Sequence, residues 1–353
     1  MTQPRAGSPD LAAPGAKAQP GLVGLVVTHN RLDQLRVTVA RLLADAIDAV
    51  LVVNNASTDG TAEFLASVTD PRLHVLSLSV NHGGSGGFER GLRAATARFD
   101  PDWCVLMDDD ARPEPGVLAR FRNEAIPLQS QGHEAVAAGV YYPDGDICEM
   151  NRPSRNPFWN LRSFLRTLFG GGRKGFHISD AEYTLTTPRK VDNASFVGLF
   201  LSRAAIRRAG YPNGKLFIYA DDVLYTLKLT RAGGSIAFAP WLRFEHDCTT
   251  IVQGGLHIHR PLWKVYYTYR NGLLAYRAAA GPLWFWLVLL LVVPKWALKS
   301  RHYGPDRALY LKLLGLAVRD ALTGKLERSH HNVRRLARHV VHPKGAATDG
   351  EQP

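Results

Sequence analysis

The sequence predicts an α/β fold, a mostly parallel sheet with helices on both faces, followed by an apolar and basic helical region. Three observations carry that expectation. Short, nearly continuous apolar runs recur at residues 22–27, 49–53, 73–78 and 103–107, as strands buried on both faces require. Between the first two runs, Leu32, Leu35, Val39, Leu42 and Leu43 repeat at helical spacing, which makes a βαβ unit. The segments that follow the runs are polar, small or acidic, and in open α/β sheets ligands bind beyond the carboxyl ends of the strands.

Taken in order, the first strand ends in Thr28-His29-Asn30-Arg31, and the second in Asn54-Asn55-Ala56-Ser57-Thr58-Asp59-Gly60, where Ser57 and Thr58 are candidate caps of a second helix. The third is followed by Asn81-His82-Gly83-Gly84-Ser85-Gly86-Gly87, and the fourth runs into Asp108-Asp109-Asp110. From residue 151 to 189 the pattern weakens, and Gly170, Gly171 and Gly172 beside Arg173 and Lys174 predict a flexible excursion over the site. Periodicity returns with a strand at 196–201, helices at 203–209 and 221–231, and a strand at 235–238. The expected divisions are a disordered tail at 1–20, an α/β domain at 21–255, a helical, apolar and basic region at 256–345, and a tail at 346–353.

Three cysteines, Cys104, Cys148 and Cys248, lie too far apart to suggest a disulfide framework or a zinc ribbon, and they suit a reducing cytosol. Residues 1–20 are rich in Pro, Ala and Gly and lack the apolar stretch of a secretory signal. The formal net charge is +12, and residues 295–345 hold twelve Lys and Arg against three Asp and Glu, three quarters of the surplus. That charge follows the run LWFWLVLLLVV at residues 283–293. The run is shorter than the roughly 20 residues of a spanning helix. A helix lying in or dipping into one leaflet is expected, with tryptophans and basic residues in the headgroup zone; a buried core helix and a true span are the alternatives. No aromatic-and-basic motif for nucleic acid accompanies the charge.

Three consecutive aspartates after a buried strand repel one another, and a divalent cation would neutralise them. Side chains alternate along extended backbone, so Asp108 and Asp110 are expected on one side and Asp109 on the other. A solvated acidic turn is the plainer alternative. Asp59 fits either a ribose or base contact or a helix cap. The glycine-rich segment fits either close approach to phosphate or a tight bend. Asp221 and Asp222 open a helix, where a carboxylate serves as N-cap or as general base toward an acceptor hydroxyl. His246 is either structural or a third metal ligand.

Residues 27–31 (VTHNR), NNASTDGT at 54–61, the Asp108-Asp109-Asp110 triplet, the Asp221-Asp222 pair and His246 stand in the order found in family 2 glycosyltransferases, which the chain resembles from about residue 22 to 250. The resemblance implies the nucleotide-sugar-binding, Rossmann-like fold called GT-A and inversion by direct displacement. It places Thr28, Asn30, Arg31, Asn55, Asp59, Gly83, Gly84, Asp108 and Asp109 at the donor. Asp108, Asp110 and His246 would hold Mn2+ or Mg2+, with Asp222 as base and Asp221 beside it. Asn54 stands where many relatives carry Asp, and Ala220 where an aromatic side chain precedes the acidic pair. NHGGSGGFERG at 81–91 and FIYADDVLYTL at 217–227 look most like the bacterial galactofuranosyltransferases, whose donor is UDP-galactofuranose. Rhamnosyltransferases using dTDP-rhamnose share the framework and a Tyr-Tyr-x-x-Arg-Asn-like segment, here residues 266–271. The likeness implies a polyprenyl-linked or glycan acceptor and peripheral attachment to the cytoplasmic face of the membrane. A nucleotide-sugar or glycan-binding protein without turnover is the rival, but it would not need both Asp110 and a base.

Overall fold

The computed structural model describes residues 21–248 and 258–338; the expected tails and the expected boundary near residue 255 lie outside them. The first half follows the predicted alternation: β1 (Leu22–Thr28), α1 (Leu32–Leu43), β2 (Ala49–Asn55), α2 (Thr61–Ser67), β3 (Leu73–Leu78), α3 (Gly83–Phe99) and β4 (Trp103–Asp108). These strands are parallel in the order β3-β2-β1-β4. On β4, Trp103, Val105 and Met107 join one core layer while Cys104 and Leu106 join the other, so the alternation carries Asp108 to the Leu106 side.

Two local expectations change here. Helix α2 is not capped by Ser57 or Thr58; it starts at Thr61 after a left-handed Gly60, and Asp59 Oδ1 accepts from the Thr61 amide and hydroxyl at 3.3 and 2.6 Å. The glycine-rich segment is not merely a tight bend but the start of a helix, because α3 begins at Gly83. Its glycines serve packing: a Cβ on Gly87 would stand 2.4 Å from Val27 Cγ1, and one on Gly91 2.5 Å from Leu25 Cδ1. Only glycine lets α3 lie this close to β1.

The chain continues through β5 (Ala111–Pro113), α4 (Val117–Ser130), β6 (Ala135–Tyr141), α5 (Leu161–Arg166), β7 (Arg189–Val191), β8 (Leu199–Ser202), α6 (Arg203–Ala209), α7 (Asp221–Arg231) and β9 (Ile236–His246). The sheet has nine strands and extends past β4 as β8-β6-β9-β5, with β7 also on β9; β8 runs antiparallel to both neighbours. It is parallel in its first half and mixed in its second. Core layers lie on both faces, one under α1 and α4, the other under α3, α6 and α7.

The strand expected at 235–238 extends to His246. Its register with β6 shifts between Ala138 and Gly139, where a Cβ on Gly139 would meet the Pro240 carbonyl at 2.7 Å. Beyond that bulge β9 also pairs with β5, and Ala111 sits opposite His246. This crossing brings His246 to the aspartates.

The excursion at 151–189 carries secondary structure of its own. It contains α5, short 3-10 turns at Gly172–Gly175 and Asp180–Thr184, and bridges from Ser154 to His177 and Asn193. It also leans on the carboxyl-terminal helices: Asn156 Nδ2 donates to the Ala279 carbonyl at 3.0 Å, and Phe164 meets Trp284 at 5.8 Å between ring centroids.

Helix α8 (Trp263–Leu298) bends at Gly281 (φ 71, ψ 179), next to Pro282; α9 (Arg307–Thr323) and α10 (His330–Leu336) follow. The first half of α8 buries Val265, Tyr266, Tyr267, Tyr269 and Leu273, mostly against Tyr310, Leu313 and Leu314 of α9. In residues 283–293 only Phe285 is buried, whereas Leu283, Trp284, Trp286, Leu287, Leu290 and Leu291 are each at least 50% exposed. The run is therefore not a core helix. From Pro282 to Leu298 the helix extends about 25 Å, less than the ~30 Å hydrocarbon thickness of a bilayer.

Candidate active site

The acidic triplet occupies the end of β4 and the turn into β5. Carboxylate oxygens of Asp108 and Asp110 and a nitrogen of His246 all lie within 4.8 Å of one another. His246 Nε2 stands 3.2 Å from Asp110 Oδ1. Arg31, at the entry to α1, binds the other Asp110 oxygen and reaches Asp109 Oδ1 at 3.4 Å. Asp109 is thus not turned away from the pair as alternation alone would have it: the backbone leaves β4 after Asp108, and Thr38 Oγ1 holds the Asp109 carbonyl at 2.7 Å.

Burial, then the charge of Asp110, pushes Asp109 up to about 6 despite Arg31. The same two causes raise Asp108, with further contributions from Asp109 and Asp221. Burial also opposes ionisation of Asp110, but the hydrogen bond and charge of His246, together with Arg31, outweigh it and hold Asp110 below the ordinary carboxylate range. For His246 burial works against the proton, while Asp110, Cys148 and Asp108 favour it and carry the imidazole up to about 10. A guanidinium and an imidazole thus face the carboxylates, and Asp108, Asp110 and His246 stand close enough together that they could hold a metal ion.

The second carboxylate pair opens α7. The preceding loop is an unusual piece of backbone: Phe217, Tyr219 and Ala220 have φ of 69, 71 and 59. Phe217 forms a tight three-residue turn, with the Ile218 amide donating to the Leu216 carbonyl at 2.9 Å. Two side chains of α8 hold this loop. Asn271 Nδ2 lies 3.1, 2.7 and 3.0 Å from the carbonyls of Leu216, Ile218 and Tyr219, and Arg270 donates to the Leu216 carbonyl at 2.9 Å. Both are fully buried. Asp222 Oδ1 accepts from the Val223 amide at 2.7 Å. Both carboxylates keep an edge open, yet nearby atoms displace most of their hydration: burial raises Asp221, and burial followed by the charge of Asp221 raises Asp222. Asp221 also adds to the upward shift of Asp108, which puts the pair and the triplet in one field.

The other expected donor residues build the rim. Thr28 is buried, and its hydroxyl favours ionised Asp109. Asn30 Oδ1 accepts from the Thr58 amide at 2.7 Å, and Asp59 Oδ2 from the Leu32 amide at 3.0 Å. Asn55 ties the second strand end to the third, accepting from His82 N and donating to the Gly83 carbonyl, both at 2.9 Å. Gly83 (φ 71) could carry no side chain, since its Cβ would stand 2.0 Å from the Phe217 carbonyl; a Cβ on Gly84 would meet open space. Asn151 was not anticipated: its Oδ1 accepts from His246 Nδ1 at 2.7 Å, and nothing in the surrounding sequence signals it. Arg270 and Asn271 were legible as the end of the Tyr-Tyr-x-x-Arg-Asn-like segment, but not as the side chains that hold this loop.

Residues 25–185 match the model of glycosyl transferase family 2, a span that includes the triplet. A family 2 glycosyltransferase domain thus spans these residues of the chain. The chain carries it on a mixed sheet with helices on both sides. It is 26% identical over 257 residues to galactofuranosyltransferase GlfT1 of Mycolicibacterium smegmatis, covering 70% of this chain and 80% of that one. It is also 26% identical over 265 residues to GlfT1 of Mycobacterium tuberculosis H37Rv, covering 70% and 79%. Among solved structures, GalNAc-T7 with UDP, GalNAc and Mn2+ superposes with a TM-score of 0.49 at 13% identity, over 76% of this chain and 52% of that one, about half its length.

Proposed function

We propose that this chain is a glycosyltransferase that transfers galactofuranose, with inversion, from UDP-galactofuranose to a hydroxyl of a polyprenyl-linked or growing envelope glycan. The observation that carries this reading is the convergence of Asp108, Asp110 and His246 within 4.8 Å, in the field of Asp221, the neighbour of Asp222. Two carboxylates and an imidazole are a fitting donor set for Mn2+ or Mg2+. Bound there, such an ion would supply counter-charge to a leaving diphosphate. The chain's own residues do the rest: Asp222, with one oxygen on the helix amide, offers the other to the acceptor hydroxyl and takes its proton. Asp221 raises the basicity of Asp222 by its charge, and the rim formed by Asn30, Asn55 and Asp59 fixes the strand ends.

The donor assignment draws on the similarity to the two GlfT1 proteins. Its test is a donor panel: the protein with UDP-galactofuranose or dTDP-rhamnose, a polyprenyl-linked acceptor, and Mn2+ present or removed by chelation, with nucleotide release followed. UDP release that requires Mn2+ is expected. Turnover of dTDP-rhamnose alone would replace the donor, and tight donor binding without turnover of either would make the chain a binding protein.

Peripheral membrane attachment on the cytoplasmic side is part of the same reading. It is supported by the exposed apolar half of α8, by Leu161, Leu168 and Phe169, each more than 60% exposed on the neighbouring excursion, and by the basic stretch that follows. Salt screens the charge contribution but not the burial of Trp284 and Trp286. Co-sedimentation with anionic vesicles should therefore fall only partly at high salt, and Trp284→Ser with Trp286→Ser should remove most of what remains. Complete release of the native protein by salt would reduce the attachment to electrostatics alone.

A further inference from the structure

His246 has two faces. Its Nε2 looks to Asp110, while Nδ1 looks toward two of the three cysteines. Cys148 lies just before the 3-10 turn at Glu149–Asn151, and Cys248 lies two residues past the end of β9. One hundred residues separate them in sequence, yet their sulfurs and a nitrogen of His246 lie within 4.8 Å of one another. Cys148 Sγ is 3.9 Å from Nδ1. In a tetrahedral zinc site, with Zn–S about 2.3 Å and Zn–N about 2.0–2.1 Å, ligand atoms stand roughly 3.5–3.8 Å apart. Small side-chain adjustments reach that spacing. The Asn151 Oδ1, 3.0 Å from Cys148 Sγ and 2.7 Å from Nδ1, receives a hydrogen bond from each.

We propose that Cys148, Cys248 and His246 Nδ1 form a second cation site, selective for a thiophilic divalent ion such as Zn2+. Two soft sulfurs and an imidazole nitrogen are the donor set such an ion prefers, as oxygens suit Mn2+ or Mg2+ on the other side of the ring. Cys148 is buried and Cys248 partly exposed, so the ion has a way in. Binding is ligation without redox change: the two thiols and Nδ1 give up their protons to solvent, and the sulfurs and nitrogen take the metal.

The shared imidazole makes the two sites antagonists. A neutral imidazole has one bare nitrogen. A metal on Nδ1 leaves the proton on Nε2, pointed at Asp110, and withdraws that nitrogen from ligation on the acidic side. Occupation of the thiol site thus disarms the acidic one. The antagonism rests on the reading of Asp108, Asp110 and His246 as a metal site; the thiol site does not.

The test uses the full-length, reduced, metal-free protein. Cd2+ as a probe should give an ultraviolet thiolate-to-metal charge-transfer band that Zn2+ competes away, and Cys248→Ser should weaken binding about tenfold or more. On the native chain, Zn2+ should protect Cys248 from iodoacetamide, read by mass spectrometry, so the result does not depend on a variant that folds. At saturating Mn2+, Zn2+ should inhibit nucleotide release by the native enzyme and spare Cys248→Ser. Absence of the band, or of alkylation protection, overturns the thiol site. Equal inhibition of both enzymes overturns the antagonism alone. If no donor turns over, the spectroscopic and alkylation results still decide the thiol site separately from the transferase reading.

Discussion

Asp222→Asn should lower kcat by about 100-fold to 10,000-fold, the range for loss of a general base, while donor binding stays near native. The amide keeps the size of the carboxylate and retains an oxygen for the Val223 amide, now 2.7 Å from Asp222 Oδ1, so this first-turn hydrogen bond survives. What is lost is the group that accepts a proton. Asp110→Ala should behave differently, weakening both metal and donor binding, because it removes the partner of His246 and Arg31. Calorimetric titration of the donor beside steady-state rates separates the two. Should Asp221→Asn abolish turnover while Asp222→Asn retains it, Asp221 is the base.

The pH profile carries the same assignment. Burial, and then the charge of Asp221, raises Asp222 above an ordinary carboxyl group. The working form is the carboxylate, present above that raised value, so kcat should fall as pH is lowered through it, earlier than an exposed aspartate would allow. Asp222→Asn should lose that limb of the profile along with the rate. A limb unchanged in the variant would assign the titration to another group.

The half of the molecule with strict strand-helix alternation was legible because β1, β2 and β4 are buried on both faces and read as unbroken apolar runs. Strand β6 escaped notice because AVAAGVY is mostly small residues whose burial leaves little hydrophobic contrast. The full length of β9 was hidden because its last residues alternate apolar with Trp241, Arg243 and Glu245, and its bend depends on a bulge opposite Gly139. The acidic residues and His246 could be nominated from residue type and order. Their second partners, Asn151 on His246 and Arg31 on the carboxylates, follow from loop positions that no local pattern encodes. The thiol pair shows the same limit, since only the crossing of β9 toward β5 brings Cys248 back to Cys148.

Asn271→Ala should cost kcat on the order of 100-fold, the size expected when a catalytic group moves by about 1 Å, with a smaller change in the donor's KM. The reason lies in the loop before α7. Three of its non-glycine residues, Phe217, Tyr219 and Ala220, sit at positive φ, a conformation costing of order 1–3 kcal/mol each and kept only where surroundings over-determine it. Asn271 supplies much of that constraint through three carbonyl contacts of 2.7–3.1 Å, from a side chain with no solvent exposure. Removing it strands buried carbonyls and lets the loop relax, and Asp221 and Asp222 move with it; a stability loss of about 1–3 kcal/mol should accompany the change. A merely structural role would lower stability without a selective effect on kcat, so the informative readout is hydrogen exchange over residues 215–222 at a temperature where the variant remains folded. That segment should exchange faster while β1 and β4 keep their protection. Asn271→Asp has the same shape but no donor, and it sets a carboxylate against the carbonyls, so its turnover should fall at least as far. Native turnover in Asn271→Asp, with unchanged exchange in the loop, would show that α8 does not hold the acidic pair in place.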